Sequence, residues 1–197
     1  METLIALDTW LFLKLNAGVA NGFFDWLMPI ITNIRHFRIP IIVMLAALAL
    51  FGGGKGRSAV LLALITLTIT DQVSSTILKP WIGRIRPCHV VEGARVITGC
   101  GNNLAFPSGH ATNTMAAAIL FGSIYRRALL PALVLSVLVS YSRIYIGIHY
   151  PVDIVGGWII GGGIAWGIVN LYHKALRQHM EQWRPFRPRL RERQQSG

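Results

Sequence analysis

Of 197 residues, 53% are hydrophobic and only 14% charged, and a mean hydropathy of +0.50 excludes an ordinary water-soluble domain. The length suits a single compact bundle, with no Ser/Pro-rich linker and no repeat to mark a second unit. The net charge of +11 includes a basic tail that acts as a topology determinant and touches anionic lipid; nucleic acid is excluded as a partner, because no aromatic-interleaved basic patch occurs and Pro185 and Pro188 interrupt any helix there.

In chain order, Met1 to Leu15 does not read as a secretory signal, since Glu2 and Asp8 stand where a basic region should and no small-residue cleavage site follows. Leu4, Leu7, Leu11 and Leu15 recur at helical spacing while Asp8, Lys14 and Asn16 are polar, which predicts an amphipathic helix lying in the membrane interface. Phe23 to Ile34 is a second such piece, too short for a hydrocarbon core that needs about 20 residues. Five crossings are expected near 38–53, 58–78, 108–125, 128–146 and 151–173. The first rests on a short run, Ile39 to Phe51, which would also suit a re-entrant segment or a helix buried against its neighbours. Loops are expected at Gly52 to Arg57, Pro80 to Phe106, Arg126-Arg127 and Tyr145 to Tyr150. The expected fold is therefore all-α: a polytopic transmembrane bundle over 1–173, with 1–36 as interfacial helices and 174–197 as a basic tail.

Counting crossings this way puts Lys55, Arg57, Arg126, Arg127 and the tail, with Lys174, Arg177, Arg184, Arg187, Arg189, Arg191 and Arg193, on one side, cytoplasmic by the positive-inside rule. The N-terminus then lies outside, unless residues 1–34 form a sixth crossing. Lys79, Arg84 and Arg86 fall on the outer side as exceptions, and three short blocks there supply the reason. These are Lys79-x6-Arg86-Pro87, then Pro107-Ser108-Gly109-His110, then Ser142-Arg143-x5-His149-x3-Asp153. Cations can neutralise a phosphoryl group, one histidine can attack phosphorus, another can protonate the leaving oxygen, and a carboxylate can orient the attacker, with no separate metal required. Pro107 is expected to open a helix, leaving the N–H groups of Ser108, Gly109 and His110 free to bind an anion. Pro151 opens another, with His149 just before its first turn and Asp153 inside it. Such an Asp could accept a hydrogen bond from His149 Nδ1–H and leave Nε2 free to attack.

Together the three blocks resemble the signature of the type 2 phosphatidic acid phosphatase (PAP2) family, which shares its site with vanadium haloperoxidases, with every defining residue present between Lys79 and Asp153. The resemblance implies that His149 is the nucleophile forming a phosphohistidine, that Asp153 orients it, and that His110 protonates the leaving group and then activates water. It implies that Lys79, Arg86, Ser108, Gly109 and Arg143 hold the phosphate oxygens, in an all-helical core with the site at the outer membrane surface.

Asp71, in the second expected crossing, is read as an interhelical hydrogen-bonding group ahead of a catalytic one, and Gly157, Gly161, Gly163 and Gly167 as a close-packing stripe. Trp10, Trp26 and Trp81 are expected at the interface. His36, His89, His173 and His179 lack ligand spacing, so neither a metal nor a cofactor is expected. Cys88 and Cys100 share the outer loop and are expected to form a disulfide if it faces an oxidising compartment. The functional expectation is a lipid phosphatase of a bacterial cytoplasmic membrane, acting at the outer leaflet on undecaprenyl diphosphate, phosphatidylglycerophosphate, phosphatidic acid or the 1-phosphate of lipid A. The alternatives are a lipid phosphotransferase and a lipid-phosphate binder or transporter without turnover.

Overall fold

The computed structural model describes residues 2–182, with side chains to residue 176. The expected tail positions Arg184, Arg187, Arg189, Arg191 and Arg193 lie outside the described residues. The rest is helical, with a single isolated bridge, Ile85 to Leu104, among the described residues. In order come α1 (Glu2–Asn16), α2 (Gly22–Thr32), α3 (Ile34–Phe51), α4 (Gly53–Asp71), a π-helical segment (Gln72–Leu78) running into α5 (Lys79–Ile82), α6 (Pro87–Val90), α7 (Gly109–Ile124), a 3₁₀ turn (Arg126–Ala128), α8 (Leu129–Tyr145) and α9 (Pro151–Gln182).

Among the described residues, four stretches are long and apolar enough to cross a membrane: α3, the continuous rod Gly53–Ile82, Arg126–Tyr145 and Pro151–Leu176. The remaining expected crossing, α7, has 16 residues and sits at the centre, packed on α4, α8 and α9. Only Ser123 of α7 is exposed, so this helix faces protein and needs neither the length nor the hydropathy of a lipid-facing one. α3 is the reverse case: none of its residues is buried, and it packs beside α4 with Ile39, Ile42, Leu50 and Phe51 turned outward.

Gly52 and Gly53 make the whole corner between α3 and α4. A side chain on Gly52 or Gly56 would run into the Leu48 carbonyl, and Gly53 holds a positive φ of 60°. The expected loop Gly52 to Arg57 thus shrinks to Gly52 alone, and Lys55 and Arg57 belong to the start of α4. A closely related constraint joins α7 to α9, where a Cβ on Gly161 would run into the Thr112 carbonyl oxygen and one on Gly157 would lie 2.9 Å from that of Ser108. Gly163 and Gly167 meet nothing, so only half of the expected small-residue stripe is contact surface.

The two faces expected of α1 separate, the leucines turned outward and, of the three polar residues, Asp8 and Asn16 turned inward with Lys14 exposed. Asp8, Phe12 and Asn16 are its buried residues, while Leu4, Leu7, Trp10 and Leu11 are exposed. Where the surrounding solvent is lipid, leucine carries no inward preference, and the polar residues turn in because partners wait there. Asn16 donates to the carbonyls of Arg95, Ile144 and Tyr145 and accepts from the Arg95 N–H, pinning α1 to the end of α8. α2 is held to the same end by Asp25, which accepts from the Tyr145 hydroxyl at 2.6 Å and from Arg95 at 2.8 and 3.0 Å; these bonds hold its carboxyl below the usual carboxylate range.

At the opposite end, the Lys55 ammonium lies 4.8 Å from the Tyr125 ring, and Leu62, Leu120 and Val169 pack together. The α3–α4 corner, the Arg126-Arg127 turn and the far part of α9 therefore share one end, and the three sequence blocks occupy the other.

Candidate active site

Four chain segments deliver the blocks to one place. Lys79 follows the π segment directly, its N–H bonded to the Ser74 carbonyl five residues back. A π turn inserts an extra residue into the helical register, and here it sets the position of the buried Lys79. Arg143 stands in the last turn of α8, and His149 and Asp153 flank Pro151 at the start of α9. The second block opens α7 later than expected: Ser108 is the N-cap and Gly109 the first helical residue, after a cis Phe106-Pro107 bond. The Ser108 N–H is not free but donates to the Asp153 carbonyl at 3.0 Å, so the first-turn donors of α7 begin at Gly109 and His110.

His149 and Asp153 are almost wholly buried. Asp153 Oδ2 accepts the Tyr150 N–H at 2.8 Å and lies 3.4 Å from His149 Nδ1, while Oδ1 accepts from Arg84 at 2.9 Å. Burial, followed by the nearby Arg143, Arg86 and Lys79 cations, pushes the His149 imidazole well below the usual histidine range. His110 Nε2 lies 3.1 Å from the Thr32 carbonyl, and Arg143 donates to the Thr32 hydroxyl at 2.6 Å. Two polar atoms of the expected phosphate-binding set, Ser108 Oγ and Arg143 Nε, are buried with no partner. Arg86 differs from expectation: its guanidinium donates to the Leu104 and Cys100 carbonyls and to Asn102 Oδ1, so it braces its own loop beside the site.

That loop is closed by a disulfide between Cys88 and Cys100, with Cα atoms 6.1 Å apart. His89 lies 3.2 Å from Cys100 Sγ, a neighbour its sequence position did not suggest. Asp71 is exposed and bonded to Ser75 of its own helix, which removes the interhelical bond expected of it.

Three residues of the site escaped the sequence reading. Arg84 bonds both Asp8 and Asp153. Asp8 arrives from α1, and the signal for it was available, since an acid in so apolar a segment calls for a partner. Thr32 gave no signal. Its helix end borders a cavity of about 400 Å³ that opens beside His110 and Arg143 and is lined also by Ile30, Ile34 and His36.

The family model for the PAP2 superfamily matches residues 59–177. A lipid A 4'-phosphatase of Bacteroides thetaiotaomicron is 31% identical over 188 residues, covering 88% of this chain and 80% of that protein. A phosphatidylglycerophosphatase B of Bacillus subtilis is 30% identical over 152 residues, covering 69% and 70%. Among solved structures, a transmembrane PAP2-type phosphatidylglycerolphosphate phosphatase from Bacillus subtilis superposes with a TM-score of 0.69 at 22% identity, over 95% of this chain and 90% of that one. The likeness extends to α1–α3, which lie before the matched family segment.

Proposed function

The chain belongs to the PAP2 superfamily and is a membrane phosphatase, and from that premise we propose that it hydrolyses a lipid phosphate through a phosphohistidine on His149. The observation that carries this reading is the pair of orphaned polar atoms, Ser108 Oγ at the start of α7 and Arg143 Nε at the end of α8, buried where His110 of α7, Lys79 of α5 and His149 just before α9 are also brought in. Polar atoms so placed normally have partners, and three phosphoryl oxygens would supply them. The neutral His149 attacks phosphorus with Nε2 while Asp153 holds Nδ1. Lys79, Arg143 and the first-turn N–H groups of Gly109 and His110 take up the charge that builds on the equatorial oxygens. Arg86 adds positive field and keeps the loop in place. His110 exchanges its Thr32 partner for the leaving oxygen, protonates it, and afterwards activates the water that releases phosphate.

The substrate placed first is a lipid A-type 4'-phosphate, because the relative so named aligns over 188 residues, including the helices that line the cavity beside His110. Phosphatidylglycerophosphate, undecaprenyl diphosphate, phosphatidic acid and lipid A 1-phosphate complete the panel. The site is placed at the outer face of the cytoplasmic membrane and the tail inside, in line with the basic residues gathered at the far end.

The decisive measurement is phosphate release from this panel by purified enzyme, with rapid quench of labelled substrate. Turnover is expected to survive EDTA, to be inhibited by vanadate, and to pass through an acid-labile phosphoenzyme that His149→Ala abolishes. Substantial turnover by His149→Ala would overturn the mechanism. Binding without release would leave a lipid-phosphate carrier, and label appearing in a second lipid would make the enzyme a phosphotransferase.

A further inference from the structure

We infer that Asp8 of α1, acting through Arg84, is a positioning residue for the His149–Asp153 pair, so that the N-terminal helix forms part of the catalytic apparatus of the proposed reaction. Asp8 is only 5% exposed, and each of its oxygens is committed. Oδ1 accepts the Val152 N–H at 3.0 Å, a first-turn donor of α9 with no partner inside its own helix. Oδ2 accepts from Arg84 Nη2, while Nη1 of the same guanidinium reaches Asp153 Oδ1. Arg84 thus spans two carboxylates with one rigid planar fork, which a lysine at this position could not do. The guanidinium also lies 4.0 Å from the Tyr150 ring centroid, and Tyr150 packs on Phe12, one helical turn after Asp8 on α1. The contacts close a ring: Asp8, Arg84, Asp153, Tyr150, Phe12 and back to α1.

An ordinary ion pair docking a surface helix would contribute little and would not need the catalytic carboxylate. Here Asp153 has all of its bonds fixed by this ring and by the Tyr150 N–H, leaving only the contact to His149 to be set. Charge balance points the same way. Arg84 offsets one of the two carboxylates, and Asp8 supplies the second negative charge, so the cluster keeps one net negative charge beside a histidine that becomes cationic when it attacks phosphorus. Without Asp8 the cluster is neutral, and Arg84 competes with His149 for Asp153.

The test uses full-length enzyme in lipid nanodiscs under single-turnover conditions. Asp8→Asn keeps the shape but removes the charge, and Arg84→Lys keeps the charge but removes the fork. Each is expected to slow phosphorylation of His149 by about 10- to 100-fold, with KM within about twofold of wild type and full burst amplitude. The double variant is expected to be about as slow as the worse single one, because both act along one chain of contacts. Leu7→Ala, on the exposed face of α1, is expected to keep the wild-type rate. A reduced burst amplitude with an unchanged rate per competent site, or fully additive losses, would make α1 a mere structural brace and overturn the inference. If wild type forms no phosphohistidine, the proposed reaction fails instead. Hydrogen exchange over residues 148–155 then decides the positioning role, which requires faster exchange in Asp8→Asn than in Leu7→Ala and is lost if the two are equal.

Discussion

His149 is surrounded by cations and closed off from water, and both effects work against its protonation. Protonating a free imidazole removes the nucleophile, so lowering its pKa moves that loss to lower pH. The acid limb of kcat/KM, measured with an aryl phosphate, is therefore expected well below the usual histidine value of about 6.5; a limb at or above that value would contradict the burial of this ring. Asp153→Asn keeps the Arg84 contact site but presents the wrong group to His149 Nδ1, and turnover is expected to fall about a thousandfold or more with KM little changed. At this scale the legible part of the site was the part written locally. The spacing of His149, Pro151 and Asp153 places all three around one helix start, and that much follows from chain geometry. Thr32 was illegible because its partner His110 lies far away in sequence, and Asp8, whose place in an apolar segment calls for a partner, gave no sign that the partner is Val152, because helical periodicity says nothing about contacts across the fold.

Among the elements, α9 approaches α7 without room for a methyl group. Gly161→Ala forces a Cβ onto the Thr112 carbonyl and is expected to destabilise the bundle by about 1–3 kcal/mol, whereas Gly163→Ala meets nothing and is expected to be neutral in thermal unfolding of the detergent-solubilised enzyme. Equal midpoints for the two variants would contradict the contact. The π segment makes a sharper case. The π turn holds one extra residue, so deleting one from Gln72–Leu78, such as the exposed Ile77, lets the rod rewind as α-helix with Lys79 near its present facing, whereas deleting the exposed Leu64 from α4 turns Lys79 by about 100°. Helix content by circular dichroism is expected to persist in both, with turnover collapsing in the α4 deletion and largely kept in the π deletion; equal losses would mean that the π turn absorbs no register. Hydropathy located the rod because its outward side chains are apolar, but the π turn has no compositional mark. Nor could it tell that Asp8 and Asn16 of α1 face protein, since a polar face against water and one against protein read alike.

For the whole molecule, the cations at the site end divide by partnership. Arg84 and Arg95 are bonded to carboxylates and Arg86 to loop carbonyls, while Lys79 and Arg143, like Lys55, Arg57, Arg126 and Arg127 at the far end, have no carboxylate partner among the described residues. Single cysteines placed in the Pro80 to Phe106 loop, in a background lacking Cys88 and Cys100, are expected to react with an impermeant reagent in intact cells, and cysteines after residue 174 are not. The opposite pattern would reverse the orientation. The cavity beside His110 then acquires a kinetic meaning. Its walls include Ile30 and Ile34 at the joint of α2 and α3, which gives a lipid an apolar approach from that flank. A substrate that enters by that route never leaves its own leaflet, and what the enzyme senses is crowding in two dimensions. In mixed micelles its velocity should follow the mole fraction of substrate in the surface, and diluting the same micelles with buffer should leave it unchanged.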